Sequence, residues 1–207
     1  MDRVVVATVD GGASVVTTVA ACPSGAPGYG RAIAVGDLDG DARPEVAIAT
    51  AAGEIEIYAG ASLPAGGCGA AWSPAVVITC TDDARLACNG SGFGAALAIG
   101  DVDGDGLGDL IAGAPQATVG GASEAGALVI MAGASSFANL GMRRASAAHS
   151  SPTPGARIGE SLATVPGDAR AEIVAGAPGV SRAYVFLCSG LDGDSPSTTP
   201  EARCQPR

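Results

Sequence analysis

The chain has 207 residues, including 32 glycines, and a formal net charge of −10 at pH 7. Hydrophobic residues make up 47%, which excludes a disordered chain, while the acidic balance disfavours nucleic acid and anionic membranes and favours divalent cations. No apolar run approaches the ~20 residues that a membrane-spanning helix needs, so no membrane insertion is expected.

Short apolar runs separated by Gly, Pro, Asn and Asp predict β-strands from the N-terminus onward. The first two are Arg3–Val9 and Ser14–Ala20. The first run is too short for the apolar core of a signal peptide, which leaves either a signal upstream of this chain or an intracellular protein.

Three copies of one pattern follow. Residues 29–51 and 93–115 align without a gap at an offset of 64, and 158–178 is a third copy, two residues shorter. Each copy predicts a strand, a tight acidic loop, a second strand and a third, and the first two copies add a weaker fourth. The predicted strands are Ala32–Gly36, Glu45–Thr50, Glu54–Tyr58 and Ala75–Thr79, then Ala95–Gly100, Asp109–Ala114, Ala127–Met131 and one near Arg143–Ala147, then Ser161–Val165, Ala171–Ala177 and Arg182–Leu187.

A period near 64 residues suits one four-stranded blade of a propeller. The sequence therefore predicts an all-β fold, a partial β-propeller of about 3.5 four-stranded antiparallel blades. The expected units are a partial blade at 1–27 with strands 3 and 4, blades with an acidic loop at 28–91 and 92–156, and a degenerate, incomplete blade at 157–207. Closed propellers have about 4–8 blades, so we expect further blades as partners, from the same parent chain or a second copy.

Two acidic loops carry the clearest chemical signal. Each has carboxylates at loop positions 1, 3, 5 and 9, and position 7 offers a backbone carbonyl. Carboxylates this close repel one another unless a cation lies among them, and hard oxygen ligands in a flexible loop suit Ca²⁺ better than Zn²⁺ or Mg²⁺. The predicted ligands are Asp37, Asp39, Asp41, Arg43 and Glu45 in one loop and Asp101, Asp103, Asp105, Leu107 and Asp109 in the other.

Two other interpretations of these loops are weaker. An EF-hand requires flanking helices and a Glu at position 12, where this chain has Ile48 or Ala112. A solvated acidic turn is the plain alternative, and it is disfavoured because the pattern recurs in register. In the third copy Asp168 and Glu172 align with positions 5 and 9, the first two aspartates are missing, and Arg170 offers a positive charge in place of a metal. No Ca²⁺ is predicted there.

The six cysteines favour disulfides and an oxidising compartment. They are Cys22, Cys68, Cys80, Cys88, Cys188 and Cys204. Zinc would need paired CxxC or CxxH spacings, which the chain lacks, and free buried thiols are the remaining alternative. Proximity favours Cys80 with Cys88 and Cys188 with Cys204, but six cysteines allow about 15 pairings, so the connectivity stays open.

These motifs resemble the FG-GAP repeat of the integrin α-subunit β-propeller. The residues that carry the resemblance are Phe93-Gly94, the DxDGDGxxD loop and Gly113-Ala114-Pro115 in the second copy, Tyr29-Gly30 in the first, and Ile158-Gly159 with Gly176-Ala177-Pro178 in the third. The resemblance implies a seven-bladed parent propeller. It also implies structural Ca²⁺ in the loops between first and second strands.

The resemblance further implies a non-catalytic role in adhesion or in binding a protein or glycan ligand, outside the cell or at its surface. The alternative is an accessory propeller domain of a larger secreted enzyme whose catalytic part lies outside this chain. Residues 159–163 approach a nucleophile elbow, but Ser161 lies in a predicted strand and has no histidine partner, so no enzyme activity is predicted.

Overall fold

The regular structure is almost entirely β-strand. The structure, a computed structural model, describes residues 3–9, 16–23, 28–60, 73–80, 90–136, 152–189 and 203–206. Within that part of the chain all pairings between strands are antiparallel, and helix is limited to short 3₁₀ turns such as Pro178–Val180. No helix among these residues has the length and apolar character needed to cross a membrane. The prediction of an all-β fold is confirmed.

The strands form one hairpin and three larger sheets, each in chain order. The hairpin is β1 (Arg3–Val9) with β2 (Val16–Pro23). The larger sheets are β3 (Ala32–Gly36), β4 (Glu45–Ala49), β5 (Glu54–Tyr58) and β6 (Val76–Thr79); β7 (Leu97–Gly100), β8 (Asp109–Ala114) and β9 (Ala127–Met131); and β10 (Leu162–Val165), β11 (Glu172–Ala177), β12 (Arg182–Ser189) and β13 (Arg203–Pro206). Each sheet lies within one of the predicted units, whose boundaries stay predictions.

The last sheet differs from its prediction. Residues 157–207 were expected to form an incomplete unit, yet β13 pairs with β12 and gives this sheet four strands. The short polar run Arg203–Pro206 carries no strand pattern, and β13 has only one neighbouring strand, which makes few demands on its sequence. The fourth strand expected near Arg143–Ala147 lies outside the described residues.

The sheet β7–β9 packs between the other two sheets, with one hydrophobic core on each face. Its second strand, β8, is buried along its whole length, which explains why its sequence is an almost continuous apolar run. In the first core Ile55 and Ile57 of β5 meet Leu110 of β8. In the second core Ile111 of β8 meets residues of β11 and β12.

The first strands of successive sheets touch: β3 contacts β7, and β7 contacts β10. Glycines at the ends of β3 and β7 make this possible, since a Cβ at Gly36 would collide with the Ile99 side chain. A Cβ at Gly100 would lie 3.0 Å from the Thr164 Cβ. The sheets do not close into a ring within the described residues, so the propeller and its number of blades stay predictions.

Two cysteines have described side chains, and both Cys80 and Cys188 are disulfide-bonded. The Cα atom of Cys188 stands opposite that of Cys204 in the register of β12 and β13. Cys88, the predicted partner of Cys80, lies outside the described residues. The full connectivity and the oxidising compartment stay predictions.

Candidate metal centres

The first loop, residues 37–45, connects β3 to β4 and is held by its own carboxylates. The Gly40 and Ala42 amides donate to the two oxygens of Asp37 at 2.7 and 3.0 Å. Asp39 and Asp41 each accept a hydrogen bond from the amide two residues further on, at 3.1 and 2.7 Å. Short side chains with an acceptor oxygen favour such local turns, so the spacing of the aspartates itself winds the loop.

The second loop, residues 101–109, connects β7 to β8 and repeats this pattern. The Gly104 and Gly106 amides donate to the two oxygens of Asp101 at 2.6 and 3.0 Å. Asp103 and Asp105 each accept from the amide two residues further on, at 3.1 and 2.8 Å. Two loops that share every one of these bonds have the same backbone path, which agrees with their alignment in the sequence.

The carboxylate at position 9 of the second loop, that of Asp109, is fully buried. Asp109 accepts hydrogen bonds from the Val102 amide at 2.8 Å and the Gly133 amide at 3.0 Å. Burial raises the pKa of Asp109 to about 7, against the lowering effect of these two hydrogen bonds, and the charges of Asp103 and Asp105 raise it further. A metal-free Asp109 is therefore poorly stabilised as an anion.

Position 9 of the first loop makes the same two bonds with a longer side chain. Glu45 accepts from the Leu38 amide at 2.8 Å and the Gly60 amide at 3.0 Å, and it too is buried. Burial raises the pKa of Glu45, and the charges of Asp39 and Asp41 add to the effect.

Position 2 anchors each loop to a core. The side chains of Leu38 and Val102 are both fully buried, one in each inter-sheet core. The loops are thus tied to the packing of the sheets on either side of them, so an ion that rigidifies a loop would also stabilise that packing.

Carboxylate oxygens converge in both loops. In the first loop one oxygen each from Asp37, Asp39 and Asp41 lie within 4.8 Å of one another. In the second loop the converging oxygens, again within 4.8 Å, come from Asp101, Asp103 and Asp109. These sets hold six of the predicted ligands and omit Glu45 and Asp105. The predicted carbonyl ligands, those of Arg43 and Leu107, are backbone atoms and stay predictions.

The donor chemistry of both clusters fits a hard cation. Every converging atom is a carboxylate oxygen, which suits Ca²⁺ and disfavours the nitrogen- and sulfur-seeking Zn²⁺. The hydrogen bonds from backbone amides orient the carboxylates and leave further lone pairs on the same oxygens. Such preorganised ligands at 4.8 Å or less leave a gap of the size that one ion spans at coordination distances of about 2.4 Å.

Sequence reasoning missed a backbone contact that joins each loop to the next unit. The Gly108 amide, at position 8 of the second loop, donates to the Asp37 carbonyl at 2.8 Å. The Ala171 amide, at the equivalent position of the third loop (165–172), donates to the Asp101 carbonyl at 2.6 Å. Alignment of the three loops offered a signal, since the first copy alone has Pro44 at this position and lacks a donor.

The third loop places its positive charge elsewhere than expected. Arg170 donates to the Cys188 carbonyl at 3.1 Å, and its side chain lies against Gly104 of the second loop. The arginine thus lies beside the acidic loop of the preceding unit. Within the described residues, neither Asp168 nor Glu172 belongs to a group of three converging ligands.

The FG and GAP motifs meet at the seams between units. Phe93 and Ile158, at the first position of FG, are buried in the two inter-sheet cores. A Cβ at Gly113, the glycine of GAP, would collide with the carbonyl of Gly159, the glycine of the next FG. The two motifs are therefore two sides of one close backbone contact.

Comparison with known families supports this geometry. Residues 93–131 match the family model for the FG-GAP repeat. The match runs from Phe93 through the second loop to the end of β9, and it confirms the resemblance seen in the motifs. A comparison with curated proteins gave no significant match.

Proposed function

We propose, from the FG-GAP repeat at residues 93–131, that this chain is a non-catalytic, calcium-stabilised segment of a β-propeller. Its role is to present a surface for a protein or glycan ligand, in adhesion or binding outside the cell or at its surface. Disulfides at Cys80 and Cys188 accord with an oxidising compartment.

The convergence of the acidic oxygens carries the calcium part of the proposal. Two loops with the same hydrogen bonds each bring three carboxylate oxygens within 4.8 Å, and one of these loops lies inside the FG-GAP match. Three such charges repel one another at this separation, and a divalent cation removes the repulsion.

The stacking of the sheets supports the propeller. The same backbone contact, from position 8 of one loop to position 1 of the loop before it, joins the first sheet to the second and the second to the third. First strands touch at both seams. A contact that repeats along the chain with one geometry is what a radial array of blades requires.

The expected contribution of calcium to stability is modest for each ion. At about 1 mM Ca²⁺ and a dissociation constant of about 10⁻⁴–10⁻³ M, each site adds roughly 0.4–1.4 kcal/mol to the free energy of unfolding. Two ions also change the formal net charge from −10 to −6, because each adds two positive charges. The resulting loss of repulsion acts in the same direction.

Thermal unfolding in EDTA, in about 1 mM Ca²⁺ and in Mg²⁺ tests the proposal. We expect Ca²⁺ to raise the unfolding temperature and Mg²⁺ to have little effect. Asp103→Ala should remove most of this rise and Asp39→Ala should weaken it. The matched control is Asp168→Ala, which deletes an exposed aspartate from the third loop and should keep the full Ca²⁺ effect. A cooperative transition that is identical in EDTA and Ca²⁺ would contradict calcium binding.

A further inference from the structure

The two seams between units cover the acidic loops with different side chains. At the first seam Leu107 of the second loop lies over Gly40 of the first, since a Cβ at Gly40 would be 2.7 Å from the Leu107 Cδ2 atom. At the second seam Arg170 of the third loop lies over Gly104 of the second. A Cβ there would be 3.1 Å from the Arg170 Cγ atom and 3.3 Å from its Nε atom.

The two covering residues occupy equivalent places. Leu107 directly precedes Gly108, whose amide donates to the Asp37 carbonyl at position 1 of the first loop. Arg170 directly precedes Ala171, whose amide donates to the Asp101 carbonyl at position 1 of the second loop. Each lies over the glycine at position 4. One seam therefore has a neutral apolar side chain where the other has a cation.

The position of Arg170 is held at both ends. Its backbone neighbour, Ala171, is bonded to Asp101 at 2.6 Å. Its guanidinium donates to the Cys188 carbonyl at the end of β12, at 3.1 Å, and the side chain is only partly exposed. These two bonds place the positive charge beside the second loop.

We propose that Arg170 is a built-in counter-charge that lowers the calcium affinity of the second loop and stabilises that loop when no ion is bound. This inference rests on the calcium role proposed above for residues 101–109. Gly104 lies between Asp103 and Asp105, so the guanidinium is within roughly one Debye length, ~8–10 Å, of the loop's four carboxylates. At that distance a unit charge acts on both the carboxylates and the incoming dication.

The sign of the effect follows from Coulomb's law. In the metal-free chain the arginine offsets part of the repulsion among the four acids. When Ca²⁺ binds, the arginine repels it. A unit charge against a dication at this range and at nearly aqueous screening changes the dissociation constant by about three- to tenfold.

Calcium titration of single-loop chains by calorimetry tests the proposal. In the full chain, Asp39→Asn with Asp41→Asn disables the first loop and keeps the Oδ1 acceptors that hold its backbone. On this background Arg170→Leu should bind Ca²⁺ about three- to tenfold more tightly, and this gain should shrink at high salt. Arg170→Lys keeps the charge and should bind Ca²⁺ as the parent does.

Arg182→Leu is the matched control. It removes the same unit charge from an exposed position at the start of β12, six residues before Cys188, whose carbonyl accepts the hydrogen bond from Arg170. We expect its dissociation constant to equal that of the parent. In EDTA, Arg170→Leu should unfold at a lower temperature than Arg182→Leu, because only Arg170 offsets the repulsion in the loop.

The reverse exchange guards against a folding defect in Arg170→Leu. Asp103→Asn with Asp105→Asn disables the second loop, and Leu107→Arg then places a cation over the first loop. Its affinity for Ca²⁺ should fall about three- to tenfold. Equal dissociation constants for Arg170→Leu and Arg182→Leu, or for Leu107→Arg and its parent, would overturn the role of Arg170 and leave the proposed function intact. No Ca²⁺ uptake by either single-loop parent would overturn the proposed function, and this inference with it.

Discussion

The first and second loops have the same backbone hydrogen bonds but differ in how deeply their carboxylates are buried. In the second loop Asp103 and Asp109 are buried members of the oxygen cluster. In the first loop the corresponding cluster takes in Asp41, which is exposed, and leaves out Glu45. Identical hydrogen bonds at positions 1, 3 and 5 thus set the path of the loop, while position 9 decides where the ligand oxygens converge.

The difference at position 9 has a simple cause. Each acid accepts from two backbone amides, one at position 2 of its own loop and one after the third strand of its sheet, but Glu45 has one more methylene group than Asp109. The repeat motif has either acid at this position, but only Asp109 joins the cluster of converging oxygens. We therefore expect the acid at position 9 to contribute more to calcium binding in the second loop than in the first.

Removal of the acid at position 9 should have the largest effect. In EDTA, Asp109→Ala leaves the Val102 and Gly133 amides without their acceptor, at about 1–3 kcal/mol each, so we expect the free energy of unfolding to fall by about 2–6 kcal/mol. Glu45→Ala should lose a similar amount in EDTA. Urea denaturation with and without Ca²⁺ distinguishes the two loops. Asp109→Ala should also lose most of the stabilisation that Ca²⁺ gives through the second loop, whereas Glu45→Ala should keep most of that given through the first. Equal calcium effects in both variants would contradict the difference between the loops.

The metal-free protein should become less stable as pH rises. The pKa of Asp109 is about 7 in the fold and near 3.8 when unfolded, so the folded state binds more protons between these values. Its stability therefore falls with rising pH across this window, by at most about 1.4 kcal/mol per pH unit and by about 2 kcal/mol from pH 5 to 7. Burial raises the pKa of Glu45 in the same direction.

Denaturation in EDTA at a series of pH values, with Asp109→Ala for comparison, measures this dependence. The variant should show a shallower slope than the parent. In saturating Ca²⁺ the trend should reverse, because protons and the ion compete for Asp109. A parent that is more stable at pH 8 than at pH 5 in EDTA would contradict the burial of this carboxyl.

The contact between GAP and FG should tolerate a methyl group at one seam and not at the other. Gly113→Ala directs a Cβ at the Gly159 carbonyl, and we expect a loss of about 1–2 kcal/mol in urea denaturation. The first copy already has Ala49 at this place, 3.0 Å from where a Cβ at Gly94 would be. Ala49→Gly should change stability by less than Gly113→Ala does. A fully stable Gly113→Ala would show that the seam is looser than the structure indicates.

Position 6 should give the smallest effect. Ala42 has a φ of +64°, a left-handed conformation that costs a residue with a Cβ about 1 kcal/mol, and Gly106 adopts a φ of +90° at the same place. Ala42→Gly should therefore raise the unfolding temperature slightly, and Gly106→Ala should lower it. The two opposite shifts, measured by calorimetry, are a check on the equivalence of the two backbones.

Much of the fold could be predicted because the same order of strands and loops recurs three times in the sequence. Strands such as β5 and β9 were placed correctly from short apolar runs between turn residues. The strand β13 could not be predicted, because an edge strand with one neighbour needs no apolar alternation. The spacing of the aspartates likewise predicted the loops, since their hydrogen bonds are local.

Most contacts between units could not be predicted from the sequence. Nothing in the order of residues says that Arg170 lies over Gly104 or that Asp109, and not Asp105, joins the cluster. Those facts depend on how the sheets stack and on the length of one side chain. The sequence carries two signals of these contacts. Pro44 cannot donate at position 8 of the first loop, and a glycine such as Gly113 lies where a Cβ would collide with the neighbouring backbone.

The stoichiometry of calcium binding to the full chain tests the central claim most directly. Flow dialysis at pH 7.5 should give two Ca²⁺ per chain, and one per chain in either Asp39→Asn/Asp41→Asn or Asp103→Asn/Asp105→Asn. The combined variant should bind none, and Mg²⁺ should not displace the ions at equal concentration. No bound Ca²⁺ in the parent chain, or two ions retained in the combined variant, would contradict the assignment of both loops as calcium sites.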